Sequence, residues 1–358
     1  MLHQANFTDF DNASEWAERG QHWLQEIAKS GRTRKRRERN STPLILCGHG
    51  VSLRIEKGAL VIRDGFTHYP QKQVCHRFFR GDLALPPRIL LLDGSGTLSF
   101  DVLSWLAEQN VALARVKWNG EVATVASGSG NAADREKVQW QVDIRDDLAR
   151  RITFGVDLIR QKLTNSIATL EQHLPASKAG DLAIAKARLG ADRLAVETHF
   201  DLNDIRAIEG ECAAAYFAAW KNLPIRWIGT SRHPVPEDWL TFTSRSSLTS
   251  GRNPKNRLAS HPVNAMLNYA YAVKLAQLQI QAIADGYDPT VGIMHNRHQG
   301  SPAFVLDLIE PERPKVDATV LAFIQSRSFS GADFIIRSDG VCRLSPQLAR
   351  MIAAITHA

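Results

Sequence analysis

The strongest constraint on the fold is a change of hydrophobic period partway along the chain. From Arg135 to Leu174 the stretch REKVQWQVDIRDDLARRITFGVDLIRQKLTNSIATLEQHL repeats its apolar residues at three and four with charges between. That is the spacing of amphipathic helix. DLNDIRAIEGECAAAYFAAW and HPVNAMLNYAYAVKLAQLQIQAIADG continue the pattern further on. Upstream the texture is different. LILCG, VSLRIE, ALVIRD, RILLLDG and VALARVKW are short runs rich in β-branched residues, punctuated by glycine turns such as EKGALV and RDGF. One helix, SFDVLSWLAEQN, fits between them, and LDGSGTLS reads as a turn with a helix start, because it lacks the lysine and spacing of a phosphate-binding loop. The expectation is an α+β chain with two domains, β-rich over 43–128 and helical over 129–358.

Residues 1–42 form a third region, an N-terminal extension. An amphipathic helix containing Trp16, Trp23 and Leu24 is followed by GRTRKRRERN. A block of like charge self-repels and stays solvated, which suits a linker. It suits equally an arm that binds phosphate with salt-sensitive affinity.

Composition narrows the class of function. At 358 residues, 44% hydrophobic and 23% charged, the chain has the make-up of an ordinary globular protein and not of a disordered one. A formal charge of +7 and a pI near 9.3 favour anionic partners, with nucleic acid ahead of membrane because no strongly basic amphipathic helix stands out. Cys47, Cys75, Cys212 and Cys342 are far apart and have no zinc-finger spacing, so reduced thiols are expected. The N-terminus lacks the apolar core of a signal peptide, which leaves the cytoplasm as the expected compartment.

Two stretches carry chemistry. Glu209 and Glu211 precede the small and aromatic residues of ECAAAYFAAW. Acids there suit a helix N-terminal turn or a site, and Gly210 beside them leaves room for close approach. GIMHNRHQGSPAFVLDLIEPERP sets His295 and His298 beside Asp307 and Glu310, two acids that share a face if the apolar run is helical. Carboxylates with one imidazole suit Mg2+ or Mn2+, with water and phosphate oxygens completing the shell. Spacing does not separate His295 from His298 as the ligand. Between these stretches runs a belt of Arg232, Arg245, Arg252, Lys255 and Arg257 among serines, threonines and asparagines, either an exposed loop or a donor surface for phosphates.

IRAIEGECAAAYFAAW, HPVNAMLNYAYAV, GIMH and LDLIEPERPKVD, in this order and at these separations, resemble the CRISPR-associated Cas-one family, the integrase that inserts spacers into CRISPR arrays. LLLDGSGTLSFDVLSWLAEQNVAL resembles that family's β-domain, so the likeness runs from about Pro43 to the C-terminus. The resemblance implies a small β-sandwich-like domain, used for dimerisation, before a larger all-α catalytic domain. It implies a divalent-metal site at Glu209, His295 and Glu310, with Asp307 a neighbour or auxiliary ligand. The implied reaction is attack of a prespacer 3′-hydroxyl on a phosphodiester of the repeat in double-stranded DNA. The implied assembly is a prokaryotic heterohexamer of homodimers around a small Cas-two-type subunit, off the membrane. HPVN departs from relatives that carry an aspartate before the proline, which leaves the role of His261 open. Two other readings stand beside the integrase: a transposon-encoded integrase with related motifs, and a non-catalytic DNA-binding scaffold.

Overall fold

The computed structural model describes Gln21, Asn40 and residues 42–67, 72–117, 122–126, 133–196, 200–245, 258–295 and 302–357. The basic run from Gly31 to Arg39 and the helix expected around Trp16 and Trp23 lie outside the described residues, as do Arg252, Lys255, Arg257 and His298. Met1–Arg39 and Asn40–Ala358 form two separate units.

Two expected strands merge into one. LILCG and VSLRIE form β1 (Leu44–Glu56), which turns through Lys57 and Gly58 into β2 (Ala59–Arg63). Both turn residues have positive φ, 51° and 79°, the pair a tight hairpin needs to match strand twist. β3 (Cys75–Phe78), β4 (Arg88–Leu98), β5 (Ala112–Val116) and β6 (Val122–Ala126) complete one six-stranded sheet in the order β3-β2-β1-β4-β5-β6. The expected turn at LDGSGTLS is instead the second half of β4. The chain stays extended because a bulge absorbs the irregular residues: Cys47 pairs with Leu92 and His49 with Ser95, leaving Asp93, Gly94 and Gly48 between. A Cβ on Gly94 would lie 2.6 Å from the Gly48 carbonyl oxygen, so the approach of the strands requires glycine.

β4 and β5 are parallel neighbours joined by α1 (Phe100–Glu108), a βαβ crossover. Strand alternation then sorts the sheet into two faces. Leu46, Leu60, Ile62 and Ile89 pack with Val102, Trp105 and Leu106 of α1. Cys47, Leu90, Leu92, Ala114 and Val116 face the other way, into the largest core, which includes α6 (Pro262–Ala284) and α9 (Pro346–His357). The layers stacked on the sheet are therefore helical.

The helical region is α2 (Arg135–Asp146), α3 (Leu148–His173), α4 (Lys178–Val196), α5 (Leu202–Ala218), α6, α7 (Ala303–Ile309), α8 (Arg313–Ser326) and α9, with a hairpin of β7 (Phe334–Ile336) and β8 (Cys342–Leu344) before α9. The class is the α+β expected, with this hairpin added to the helical part. The long periodic stretch divides at Asp147, whose extended backbone ends α2 and whose carboxylate accepts from Arg150 N at 3.1 Å to start α3. α6 is apolar nearly all round and runs through the core, as such a helix must. His261 is its N-cap: Nδ1 accepts from Val263 N at 3.2 Å while Nε2–H donates to the Thr241 carbonyl at 3.1 Å. Burial holds this imidazole below its usual pKa, against the pull of that carbonyl, and only the neutral ring can accept and donate in this way. An imidazole thus takes the capping place that aspartate or asparagine usually fills.

Candidate active site

Four segments supply the candidate residues and are tied together by hydrogen bonds: the middle of α3, the middle of α5, the turn 293–295, and the chain from α7 into α8. α5 begins at Leu202 behind a capping box in which Asp201 accepts from Asn203 N and Asp204 N while Asp204 accepts from Asp201 N. Glu209 therefore stands two turns inside the helix, beyond the reach of the N-terminal dipole, and a simple first-turn role is overturned. A Cβ added at Gly210 would meet nothing within 4 Å, so the surface beside Glu209 is open.

The turn GIMH is built by packing. A Cβ at Gly292 would lie 2.6 Å from the Ala303 Cβ, so α7 can start close only against glycine. Ile293 is fully buried, and Met294 lies against Gly155 of α3, where a Cβ would come within 2.5 Å of its sulfur. His295 is left half-exposed at the rim. Beneath the turn, Asp307 is fully buried and accepts four hydrogen bonds: from Ile293 N at 2.6 Å, Met294 N at 3.1 Å, His295 N at 3.0 Å and His295 Nδ1 at 2.7 Å. That last bond raises the imidazole pKa, with burial opposing it. In the neutral ring it fixes the tautomer and leaves the Nε2 lone pair as the available ligand.

More clamps hold the turn from outside. Arg151 Nε donates to the Ile293 carbonyl at 2.7 Å and Arg206 to that of Met294 at 3.4 Å. Buried Gln141 donates to the carbonyls of Asp288 and Val291 and accepts from Asp288 N, each at 3.0 Å.

Glu310 opens the 3₁₀ turn Glu310–Glu312 that links α7 to α8. α3 grips this turn through Asn165, which donates to the Pro311 carbonyl at 2.7 Å, and Thr169, which donates to that of Pro314 at 2.8 Å. Glu310 accepts from Lys162 Nζ at 2.6 Å and from Arg313 Nε at 2.9 Å. The same Lys162 ammonium also contacts Glu209. Burial opposes the Glu310 charge, but Arg313 and Lys162 outweigh it and hold the carboxyl at about 2. Burial likewise works against the Lys162 charge, and the two carboxylates overcome it, keeping the amine protonated. The guanidinium of Arg313 lies over the Tyr271 ring, 4.9 Å from its centroid.

One step deeper, Asp317 accepts from the hydroxyls of Tyr216, at 3.0 Å, and Tyr271. Burial pushes its carboxyl up to about 6, and the two hydroxyls only partly restrain that.

Of the residues singled out in the sequence, Glu209 and Glu310 meet at Lys162, while His295 and Asp307 meet each other. As placed, no group of three His, Cys, Asp or Glu side chains among the described residues is arranged to hold a metal ion. The donor set nonetheless fits a divalent cation: two carboxylates already share a positive charge, in the form of the Lys162 ammonium, and an imidazole on the adjoining turn presents a free nitrogen. Arg232 is exposed. Arg245 is half-buried, donating to Asn268 Oδ1 at 2.7 Å and lying 5.7 Å from the Tyr271 ring centroid, which brings it to the Arg313 side of the site. Sequence reasoning missed Lys162, Arg313 and the Asp317 cluster. Arg313 was findable as an i,i+3 partner of Glu310. Lys162 was not, because its partners lie 47 and 148 positions away.

Among curated proteins, the chain is 31% identical over 233 residues to a CRISPR-associated exonuclease Cas4/endonuclease Cas1 fusion of Rhodospirillum rubrum, covering 65% of this chain and 37% of the fusion. It is 25% identical over 323 residues to CRISPR-associated endonuclease Cas1 1 of Archaeoglobus fulgidus, covering 87% and 86%. Among solved structures, the fold is like that of a casposase bound to integration product, with TM-score 0.69, 24% identity and coverage of 88% and 81%. It is also like that of a Cas1 protein from Thermotoga maritima, with TM-score 0.64, 13% identity and coverage of 88% of each chain. The family described as CRISPR associated protein Cas1 matches residues 44–356, almost everything from β1 to the last turn of α9, and the chain belongs to that family.

Proposed function

We propose that this chain is the integrase of CRISPR adaptation, a metal-dependent enzyme that joins the 3′-hydroxyl ends of prespacer DNA to phosphodiesters of the CRISPR repeat. The observation that carries this reading is the pair Glu209 and Glu310, drawn from different helical segments onto one shared positive charge beside a held imidazole. Carboxylates so placed repel each other unless a cation stands between them. Glu209, Glu310 and His295 Nε2 would hold Mg2+ or Mn2+. Such an ion supplies Lewis acidity and charge neutralisation at a phosphodiester.

The rest belongs to the protein. Asp307 keeps the His295 ring turned with Nδ1 occupied and Nε2 free, the orientation a metal-binding imidazole needs. Arg313 offers its remaining N–H groups beside Glu310, where a phosphate oxygen would lie. Arg232 and Arg245, with Arg252, Lys255 and Arg257 of the same belt, would supply sequence-independent affinity for double-stranded DNA. Homodimerisation and assembly around a small Cas-two-type subunit belong to the same reading. Association with such a subunit draws support from a solved complex described as Cas6-RT-Cas1–Cas2, one chain of which is similar in fold, with TM-score 0.64 and 17% identity.

The test is strand transfer from a fluorescent 3′-hydroxyl duplex into a supercoiled repeat-bearing plasmid, with and without Mn2+ and the small partner. Joining should require metal and should vanish in Glu209→Ala, His295→Ala and Glu310→Ala, while DNA binding persists. Joining directed to terminal inverted repeats in preference to CRISPR repeats would favour the transposon-encoded reading, which the casposase likeness keeps in play. Tight binding without joining under every condition would make the chain a scaffold.

A further inference from the structure

The reading above uses Lys162 only as the charge that Glu209 and Glu310 share and gives it no role of its own. Its aliphatic stem rises from the middle of α3 and its side chain is only 13% exposed. Its ammonium reaches Glu310 at 2.6 Å and contacts Glu209, the two carboxylates assigned to the metal. One ammonium cannot share two carboxylate oxygens with a divalent ion, because like charges at such distances repel strongly where water is scarce. Next to the bridge lies a small cavity of about 60 Å³ lined in part by Lys162, Glu209, Tyr216, Tyr271, Arg313 and Asp317. The lysine, with four rotatable bonds, therefore has space to leave.

We infer that Lys162 is a resident competitor of the catalytic cation: its ammonium bridges Glu209 and Glu310 in the metal-free protein, and the metal enters only by displacing it. The inference rests on the reading of those glutamates as metal ligands. It assigns Lys162 a positioning role with two consequences. In the metal-free state the bridge keeps Glu209 and Glu310 together and prevents their mutual repulsion from driving them apart. The same bridge weakens metal affinity, so that the site fills only at higher metal concentration or when bound DNA phosphates help to draw the ammonium away.

The experiment is titration of Mn2+ into the metal-free full-length chain, followed by calorimetry and by the paramagnetic resonance signal of free Mn2+, with thermal unfolding in chelator and in saturating Mn2+. Lys162→Met keeps the stem and removes the charge. It should bind Mn2+ on the order of tenfold more tightly than the wild type, as expected when a competing occupant is removed. It should also melt lower in chelator and gain more on adding Mn2+. Lys162→Arg keeps the charge and should bind no more tightly than the wild type, which separates competition from general loosening should Lys162→Met fold poorly. Glu310→Gln is the control for the underlying reading. If it loses Mn2+ binding while Lys162→Met binds as the wild type or more weakly, the competitor role is overturned and the metal site stands. Mn2+ binding that is unchanged in Glu310→Gln removes the metal from these carboxylates and overturns both.

Discussion

Asp307 and Glu310 are three residues apart, both buried, and satisfied in opposite ways. Three backbone N–H groups and an imidazole, all of the turn 293–295, surround Asp307. Two side-chain cations from α3 and α8 meet at Glu310. Backbone donors cannot leave without unfolding the turn, whereas a lysine can. The first carboxylate is thus part of the scaffold, and the second is held in a form that another cation can take over. Sequence spacing treats the pair as one acidic face. The source of the donors separates their roles.

The largest expected effect is on the scaffold side. Asp307→Ala leaves several buried donors without an acceptor, which should cost on the order of 4 kcal/mol in chemical unfolding. Glu310→Gln keeps the shape and an acceptor, and its cations retain Glu209 and solvent, so about 2 kcal/mol is expected. Equal losses in the two variants would break the distinction between fixed and exchangeable carboxylates.

Acid unfolding sharpens the same contrast. The Glu310 carboxyl is depressed from 4.5 to about 2 in the folded state. Its charge therefore stabilises fully above pH 4.5, and that contribution fades as the pH falls toward 2. At most about 3 kcal/mol is linked to it, and Glu310→Gln should flatten the stability profile in this window. An unchanged slope would mean that the cations around Glu310 are not what holds it.

How much of this could be read from the sequence follows from the range of each interaction. The change of period announced a sheet before helices, and GIMH, Asp307 and Glu310 could be grouped because they are local in the chain, although spacing did not choose His295 over His298. The break at Asp147 was hidden, since hydrophobic period carries across a capped junction. The merging of two runs into β1 was hidden as well, since Gly48 and Gly50 look like turn residues until a partner strand lies against them. Lys162 and Asp317 stayed silent for a different reason: their partners are distant in sequence, and a lysine or aspartate in an amphipathic helix reads as solvated until the neighbouring helix is placed.

Asp317 extends the comparison with the opposite sign. Among the described residues its hydrogen-bond partners are two tyrosine hydroxyls and no cation, and burial lifts its carboxyl from 3.8 to about 6. A raised folded pKa gives stability that is present below pH 3.8 and is lost as the pH rises through about 6. Asp317→Asn should remove that dependence, so the variant should gain about 2 kcal/mol on the wild type between pH 4 and pH 7. A constant difference across this range would show that Arg245 and Arg313 compensate the charge.

The smallest effect concerns the open surface beside Glu209. Gly210 lies in mid-helix with φ in the ordinary range and nothing within 4 Å of an added Cβ, so the fold has no need of glycine there. Gly210→Ala should stabilise the free protein by about 0.5–1 kcal/mol through helix propensity alone. If the glycine serves close approach of the DNA backbone, the same methyl group should reduce strand transfer severalfold while leaving Mn2+ binding as it was. Greater stability with full activity would show that the substrate keeps its distance from this turn of α5 and that contact is made from the Arg313 side of Glu310.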